Sequence, residues 1–289
     1  MHVDAYIVLG SAVVGLLVGT TGAGGGALMT PMLILLFGVK PSAAISSDLV
    51  AAVLMRPVGA AVHFRRGTVH TGLLRWLVVG SVPSAFLGAY LLHALGESDS
   101  AQRAVERVLG AALLAGAAAM LFRYYLDARR GTRRFVEIRD VVTRPSVTLA
   151  IGMLGGLIVG MTSVGAGSLM IVLLLFAYPG IGPKQLVGTD LAQAVPLSLA
   201  AAAGALVFGH PAFGVTTSLI LGSVPAVFVG SLLSSRAPDA LLRPVITFVI
   251  LASGLKYAGL STEALGWTML VALLAGVAVA WPVVRRRAS

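Results

Sequence analysis

Long apolar runs alternate along the chain with short polar loops. They occupy residues 5–20, 27–38, 43–64, 73–95, 104–124, 146–161, 168–178, 186–208, 214–235, 241–259 and 264–284. A helix needs about 20 apolar residues to cross the hydrocarbon core of a bilayer. Only helices and closed barrels satisfy every backbone group there. The longer runs exceed the roughly 10-residue alternating strands of a membrane barrel. The pattern therefore predicts an all-α, polytopic transmembrane bundle. The runs 5–20, 27–38, 146–161 and 168–178 are short. A helix of 11 or 12 residues rises only about 17 Å.

The chain repeats itself. Gly80-Ser81-Val82-Pro83-Ser84-Ala85-Phe86-Leu87-Gly88 matches Gly222-Ser223-Val224-Pro225-Ala226-Val227-Phe228-Val229-Gly230. The same displacement relates Pro41 to Pro183, Leu49 to Leu191, Ala52 to Ala194 and Gly67 to Gly209. Upstream, Gly19-Thr20-Thr21-Gly22-Ala23-Gly24-Gly25-Gly26 parallels Gly160-Met161-Thr162-Ser163-Val164-Gly165-Ala166-Gly167. Chance likeness between apolar segments is common, but a shared motif order at nearly constant offset marks a duplication. The expected organisation is a first transmembrane repeat over 1–126, a basic cytoplasmic loop over 127–145, and a second repeat with an extra C-terminal helix over 146–289.

Charge changes the picture in one respect. The formal net charge is +10, with 11% charged residues, and the mean hydropathy is +0.95. The basic residues sit between apolar runs, so the excess reads as the positive-inside rule and not as a nucleic-acid surface. Arg129, Arg130, Arg133, Arg134, Arg139 and Arg144 place the central loop in the cytoplasm. Arg65, Arg66 and Arg75 place loop 65–72 on the same side. Glu97 and Asp99 leave loop 96–103 outside, and Arg285-Arg286-Arg287 put the C-terminus inside. Met1-His2-Val3-Asp4 lacks the positive start of a signal peptide, so the first apolar run is expected to be retained, with the N-terminus outside. A multi-pass protein of a bacterial inner membrane is implied.

Parity then constrains the short runs. Between the cytoplasmic loop at 145 and the cytoplasmic tail, 186–208, 214–235, 241–259 and 264–284 supply four crossings. The pair 146–161 and 168–178 must return to its starting side, as a re-entrant helical hairpin. The first repeat yields the same count from the outside. Each repeat has one hairpin and three crossings, and the odd number makes the repeats inverted, as in many secondary transporters.

Candidate chemistry concentrates at the hairpin tips. Gly22, Gly24, Gly25 and Gly26 break the first hairpin, and Gly165, Ala166 and Gly167 the second. Glycine permits positive φ and close approach of a ligand to the backbone. The helix after each break presents free N–H groups and a positive dipole end at membrane depth, which suits an anion. Thr20, Thr21, Thr162, Ser163 and Ser168 add hydroxyl donors. Close packing is the competing explanation. It is assigned to Gly15, Gly19, Gly152, Gly156 and Gly160, which follow small-xxx-small spacing.

Asp48 and Asp190 occupy matching positions near the start of matching runs. They read equally as helix N-caps and as proton or cation sites. Gln193 lies one turn after Asp190. Arg56, before Pro57, is an intramembrane cation that either serves an anionic substrate or snorkels to the interface. The second repeat has Ser198 there. His2, His63, His70, His93 and His210 lack metal-ligand spacing and read as interfacial. There is no cysteine for disulfides or thiolate metal sites. No G-x-S-x-G motif surrounds Ser163, and the glycine run is no nucleotide fingerprint. No catalytic residue, metal or cofactor is expected. The reading is a transporter of small anions in a lipid bilayer, with an anion channel and an intramembrane enzyme as alternatives. Import or export, and a homo-oligomer or a monomer, stay open.

Gly22-Ala23-Gly24-Gly25-Gly26-Ala27-Leu28 through Pro31, the Arg65-Arg66-Gly67-Thr68-Val69 loop and the later helices with glycines eight residues apart occur in duplicate order. In these features the chain resembles the TauE/SafE sulfite-exporter family over nearly its whole length. The resemblance implies movement of sulfite, sulfonates or related small organic acids, driven by an ion gradient. The family often has Gly-Thr-Ser where this chain has Ser46-Ser47-Asp48 and Gly188-Thr189-Asp190.

Overall fold

The structure is a computed structural model. It describes residues 3–21, 25–65, 67, 69–96, 98–130, 142–164, 169–178, 181, 183–233, 239–261 and 263–268. Among the described residues the main helices are α1 (Ala5–Thr21), α2 (Gly26–Leu35), α3 (Pro41–Arg65), α4 (Thr71–Ala94), α5 (Asp99–Arg130), α6 (Pro145–Thr162), α7 (Leu169–Ala177), α8 (Pro183–Phe208), α9 (Phe213–Leu233) and α10 (Asp239–Tyr257). No strand occurs among the described residues. Most of the run 264–284 lies outside them.

Prolines set several boundaries. Pro41, Pro145 and Pro183 open α3, α6 and α8, where a fixed φ and a missing N–H cost nothing. As a result α3 and α8 begin earlier than the apolar runs 43–64 and 186–208. By length and apolarity, α4, α6, α8, α9 and 24 residues of α5 can each cross a membrane. The 18 residues of α6 rise about 27 Å, so this arm is longer than its apolar run suggests. α3 has 25 residues but is more polar, because it carries Ser46, Ser47, Asp48 and Arg56.

Glycines bring helices together at backbone range. α1 lies along α9, with Gly15 against Ser223 and Gly19 against Val227 and Gly230. A Cβ at Gly15 would stand 2.7 Å from the Ser223 carbonyl oxygen. α4 lies along α6 in the same way, with Gly156 against Ser81 and Ser84 and Gly160 against Ala85. Small residues drive such contacts in lipid, where burial of apolar surface gives no net pull between helices. In both pairs the residue numbers rise together, so the helices run parallel. α4 also runs parallel to α8, with Gly204 beside Phe86 and Ala89 and Gly209 beside His93.

The short helices fold back on their predecessors. Gly25 lies near Val18, and Gly10 faces Met32 and Phe37, so α2 returns along α1. In the second pair, Tyr178 Oη accepts from the Arg144 amide at 2.9 Å and lies 2.6 Å from Thr148 Oγ1. The end of α7 is thus tied to the start of α6. α3 packs against α8, and α5 packs on α10. Exchanging α1–α5 with α6–α10 turns the α1–α9 pair into α6–α4, the α3–α9 pair into α8–α4, and α2–α3 into α7–α8.

Candidate functional site

The two hairpins meet. Gly26, the first residue of α2, stands so near the backbone of Ser163 that a methyl group on it would overlap the Ser163 carbonyl. Gly25 precedes it in ordinary right-handed geometry, φ −58° and ψ −35°, and no side chain caps the helix start. Ser163 is the residue after α6 and has φ 58° and ψ −4°. It is the one non-glycine residue with positive φ among those described. A left-handed residue with a Cβ costs roughly 1–2 kcal/mol. The strained backbone belongs to a serine, and Gly26 is needed for close approach. Gly22, Gly24, Gly165, Gly167 and Ser168 lie outside the described residues.

Buried polar groups surround this contact. Asp48 on α3 is 1% exposed and accepts from Thr30 Oγ1 on α2 at 2.8 Å. The hydroxyl of Ser163 is also beside Asp48, yet meets hydrogen-bond geometry to no group among the described residues. Arg56, two turns further along α3, is 9% exposed and donates from Nη1 to the Ala194 carbonyl of α8 at 3.3 Å. It lies within electrostatic range of Asp48 and, across the helix crossing, of Asp190. Asp190 is 1% exposed. Gln193 donates from Nε2 to Ser81 Oγ on α4 at 2.6 Å, while its Oε1 has no partner among the described residues.

Two expectations are corrected here. Asp48 and Asp190 are not N-caps, because α3 and α8 begin seven residues before each of them. The prolines at 41 and 183 extend both helices beyond the apolar runs. Arg56 does not snorkel, since its side chain is buried against α8. His70 is buried as the N-cap of α4 and accepts from the Leu73 amide at 3.0 Å.

The tip hydroxyls are used unequally. Thr20 donates to the carbonyls of Leu16 or Leu17, one turn back in its own helix. Thr162 donates to the Ile158 carbonyl and accepts from the Val164 amide at 3.1 Å. Both protons are therefore spent on helix ends. Thr21 closes α1. Thr30, Ser81, Ser47 and Thr189 were not singled out by the sequence. Thr30 was legible as a hydroxyl one turn into a short apolar helix, immediately before a proline. Ser81 and its neighbours sit within long apolar runs that conceal which face they occupy.

With both acids ionised, the buried cluster of Asp48, Asp190 and Arg56 carries one net negative charge. Low-dielectric surroundings make an uncompensated charge costly. A monoanion placed beside Arg56 would raise that negative charge to two, so it would need a proton or cation with it.

The family model for the sulfite exporter TauE/SafE matches residues 7–257. A "Probable membrane transporter protein YjnA" of Bacillus subtilis (strain 168) is 37% identical over 251 residues, covering 86% of this chain and 98% of that protein. "Probable membrane transporter protein YdhB" of the same organism is 20% identical over the same shares. No solved structure matches significantly. The multi-pass helical architecture agrees with both comparisons, and the chain belongs to the TauE/SafE sulfite-exporter family of membrane transport proteins.

Proposed function

We propose that the chain is a secondary transporter of a small anion, of the sulfite, organosulfonate or small organic acid class, coupled to an ion gradient. The observation that carries this reading is the meeting of Gly26 and Ser163 beside the buried Asp48, which lies within electrostatic range of the buried Arg56. A helix start without a side-chain cap and the Ser163 hydroxyl beside Asp48 meet there, and the Arg56 guanidinium lies within electrostatic range of that acid. These groups recognise oxyanions. The substrate lies between the tips, held by the start of α2, Ser163 and Arg56, with Gln193 of α8 and the tip residues Gly22, Gly24, Gly165, Gly167 and Ser168. Asp48 and Asp190 are the coupling acids.

The architecture that suits this function is a pair of inverted repeats, each with a re-entrant hairpin. Its support is the exchange of packing pairs between α1–α5 and α6–α10 and the return of α2 and α7 along α1 and α6. The N-terminus is outside and the C-terminus cytoplasmic, from the arginine distribution. The test is a binding screen of sulfite, sulfoacetate, taurine and thiosulfate on purified protein, followed by counterflow in proteoliposomes with whichever binds. Counterflow marks a carrier. Flux that dissipates without counterflow marks a channel, and no anion binding removes the reading.

A further inference from the structure

We propose that the hydroxyls of Ser47 and Thr189 are paired latches, one toward each membrane face, released in turn during transport. They are positioning residues that touch no substrate. The inference rests on the alternating-access reading above.

The same bond is made twice. Ser47 Oγ on α3 accepts from the Ala212 amide at 3.1 Å, and Thr189 Oγ1 on α8 accepts from the His70 amide at 2.9 Å. Ser47 and Thr189 are 142 residues apart (189 − 47), and so are His70 and Ala212 (212 − 70). Each bond therefore runs from the polar helix of one half to the corresponding loop of the other. Both hydroxyls are 0% exposed. Thr189 also donates to the Gln185 carbonyl at 2.8 Å, which fixes the direction in which its lone pairs point.

The position of the donors gives the bonds their leverage. His70 and Ala212 immediately precede α4 and α9. Their amides belong to helix starts, which leave N–H groups without an intrahelical partner. The bond from His70 is buried and the bond from Ala212 partly so, and an N–H shielded from water cannot be abandoned cheaply. Parting either loop from its helix thus requires water to take the place of the hydroxyl, as opening toward a face would allow. The latches lie at opposite ends of α8. Thr189 is near its start, while Ala212 follows its end at Phe208. Each hydroxyl also belongs to the residue directly before a buried acid, Asp48 or Asp190. Both latches are closed here, and the cluster between them is buried.

The test reads access to the centre from each face. The chain has no cysteine, so Ser198→Cys, buried on α8 at the position that matches Arg56 by the same 142-residue offset (198 − 56), serves as a single reporter. It is labelled with a membrane-impermeant thiol reagent applied to either side of oriented vesicles, without substrate. In the topology above, Ser47→Ala should raise labelling from outside relative to inside by about fivefold, the equilibrium equivalent of one neutral hydrogen bond. Thr189→Val should shift the ratio by a similar factor in the other direction. Thr189→Ser and Ser47→Thr should restore it. Shifts of one sign in both variants, or none in either, overturn the latch. If Thr189→Val does not fold, Ser47→Ala and its Thr rescue still decide, because a mere packing defect would not favour one face. The labelling needs no substrate, so it stands apart from the binding screen that tests the anion site.

Discussion

Gly26 and Ser163 touch through their backbones, although 137 residues (163 − 26) separate them in sequence. The start of α2 is thereby seated against the left-handed turn that ends α6. A methyl group at Gly26 has no room, since it meets a carbonyl and not the end of a flexible side chain. Gly26→Ala should lower transport at least tenfold. Gly25→Ala should be mild, because its added carbon meets two side-chain ends, the Met55 methyl at 3.2 Å and Val18 Cγ2 at 3.9 Å. Gly25→Val and Gly167→Val are expected to abolish transport at near-normal protein levels. Vesicle uptake with immunoblots checks all four. Normal transport by Gly26→Ala would remove the tip contact from the mechanism.

The class of this fold was legible in the apolar runs, and the packing glycines were legible in their spacing. Gly15 and Gly19 meet α9, and Gly156 and Gly160 meet α4, because four-residue spacing puts small residues on one face. The site was legible only in part. Composition marked Asp48, Asp190 and Arg56, since charges are rare in apolar runs. It misplaced the first two relative to their helix starts, because proline and polar residues at 41–47 and 183–189 resemble a loop while they form helix. Spacing could not reveal that Thr30 meets Asp48. That contact depends on how far α2 folds back, a tertiary fact.

Thr30 holds the Asp48 carboxylate from a buried position. A hydrogen bond to a charged group is worth about 1.5–3 kcal/mol. Thr30→Val keeps the shape and removes the donor, so it should lower the melting temperature in detergent and weaken transport. Thr30→Ser should retain both. Equal stability of the Val and Ser variants would show that the bond carries no weight.

Topology can be read in the cysteine-free chain by introduced cysteines. A label at Ser98 should react only from outside. Labels near Arg133 and at Ala288, which lie outside the described residues, should react only from the cytoplasm. Reaction at Ala288 from outside would overturn the return of the second hairpin to its own side.

The acids allow the sharpest test. If Asp48 and Asp190 carry coupling protons, Asp→Asn at either position should remove the pH dependence of net flux and leave substrate exchange intact. The substitution removes a titratable group but preserves size. At position 48 the amide oxygen can still accept from Thr30, so the tie to α2 survives. Folding should suffer moderately, because Arg56 keeps the carboxylate of the other half within range. Removing both acids together is different. It leaves a buried guanidinium without a countercharge, and losing the partner of a buried charge costs about 3–5 kcal/mol. Asp48→Asn/Asp190→Asn should therefore express poorly, and adding Arg56→Gln should recover protein without recovering transport. Helix capping offers no rival account, since each acid lies seven residues inside its helix. Net flux and exchange, measured at two pH values for each single variant, separate the outcomes. Unaltered pH dependence in both Asn variants would leave the acids as fixed partners of Arg56 and place the coupling elsewhere.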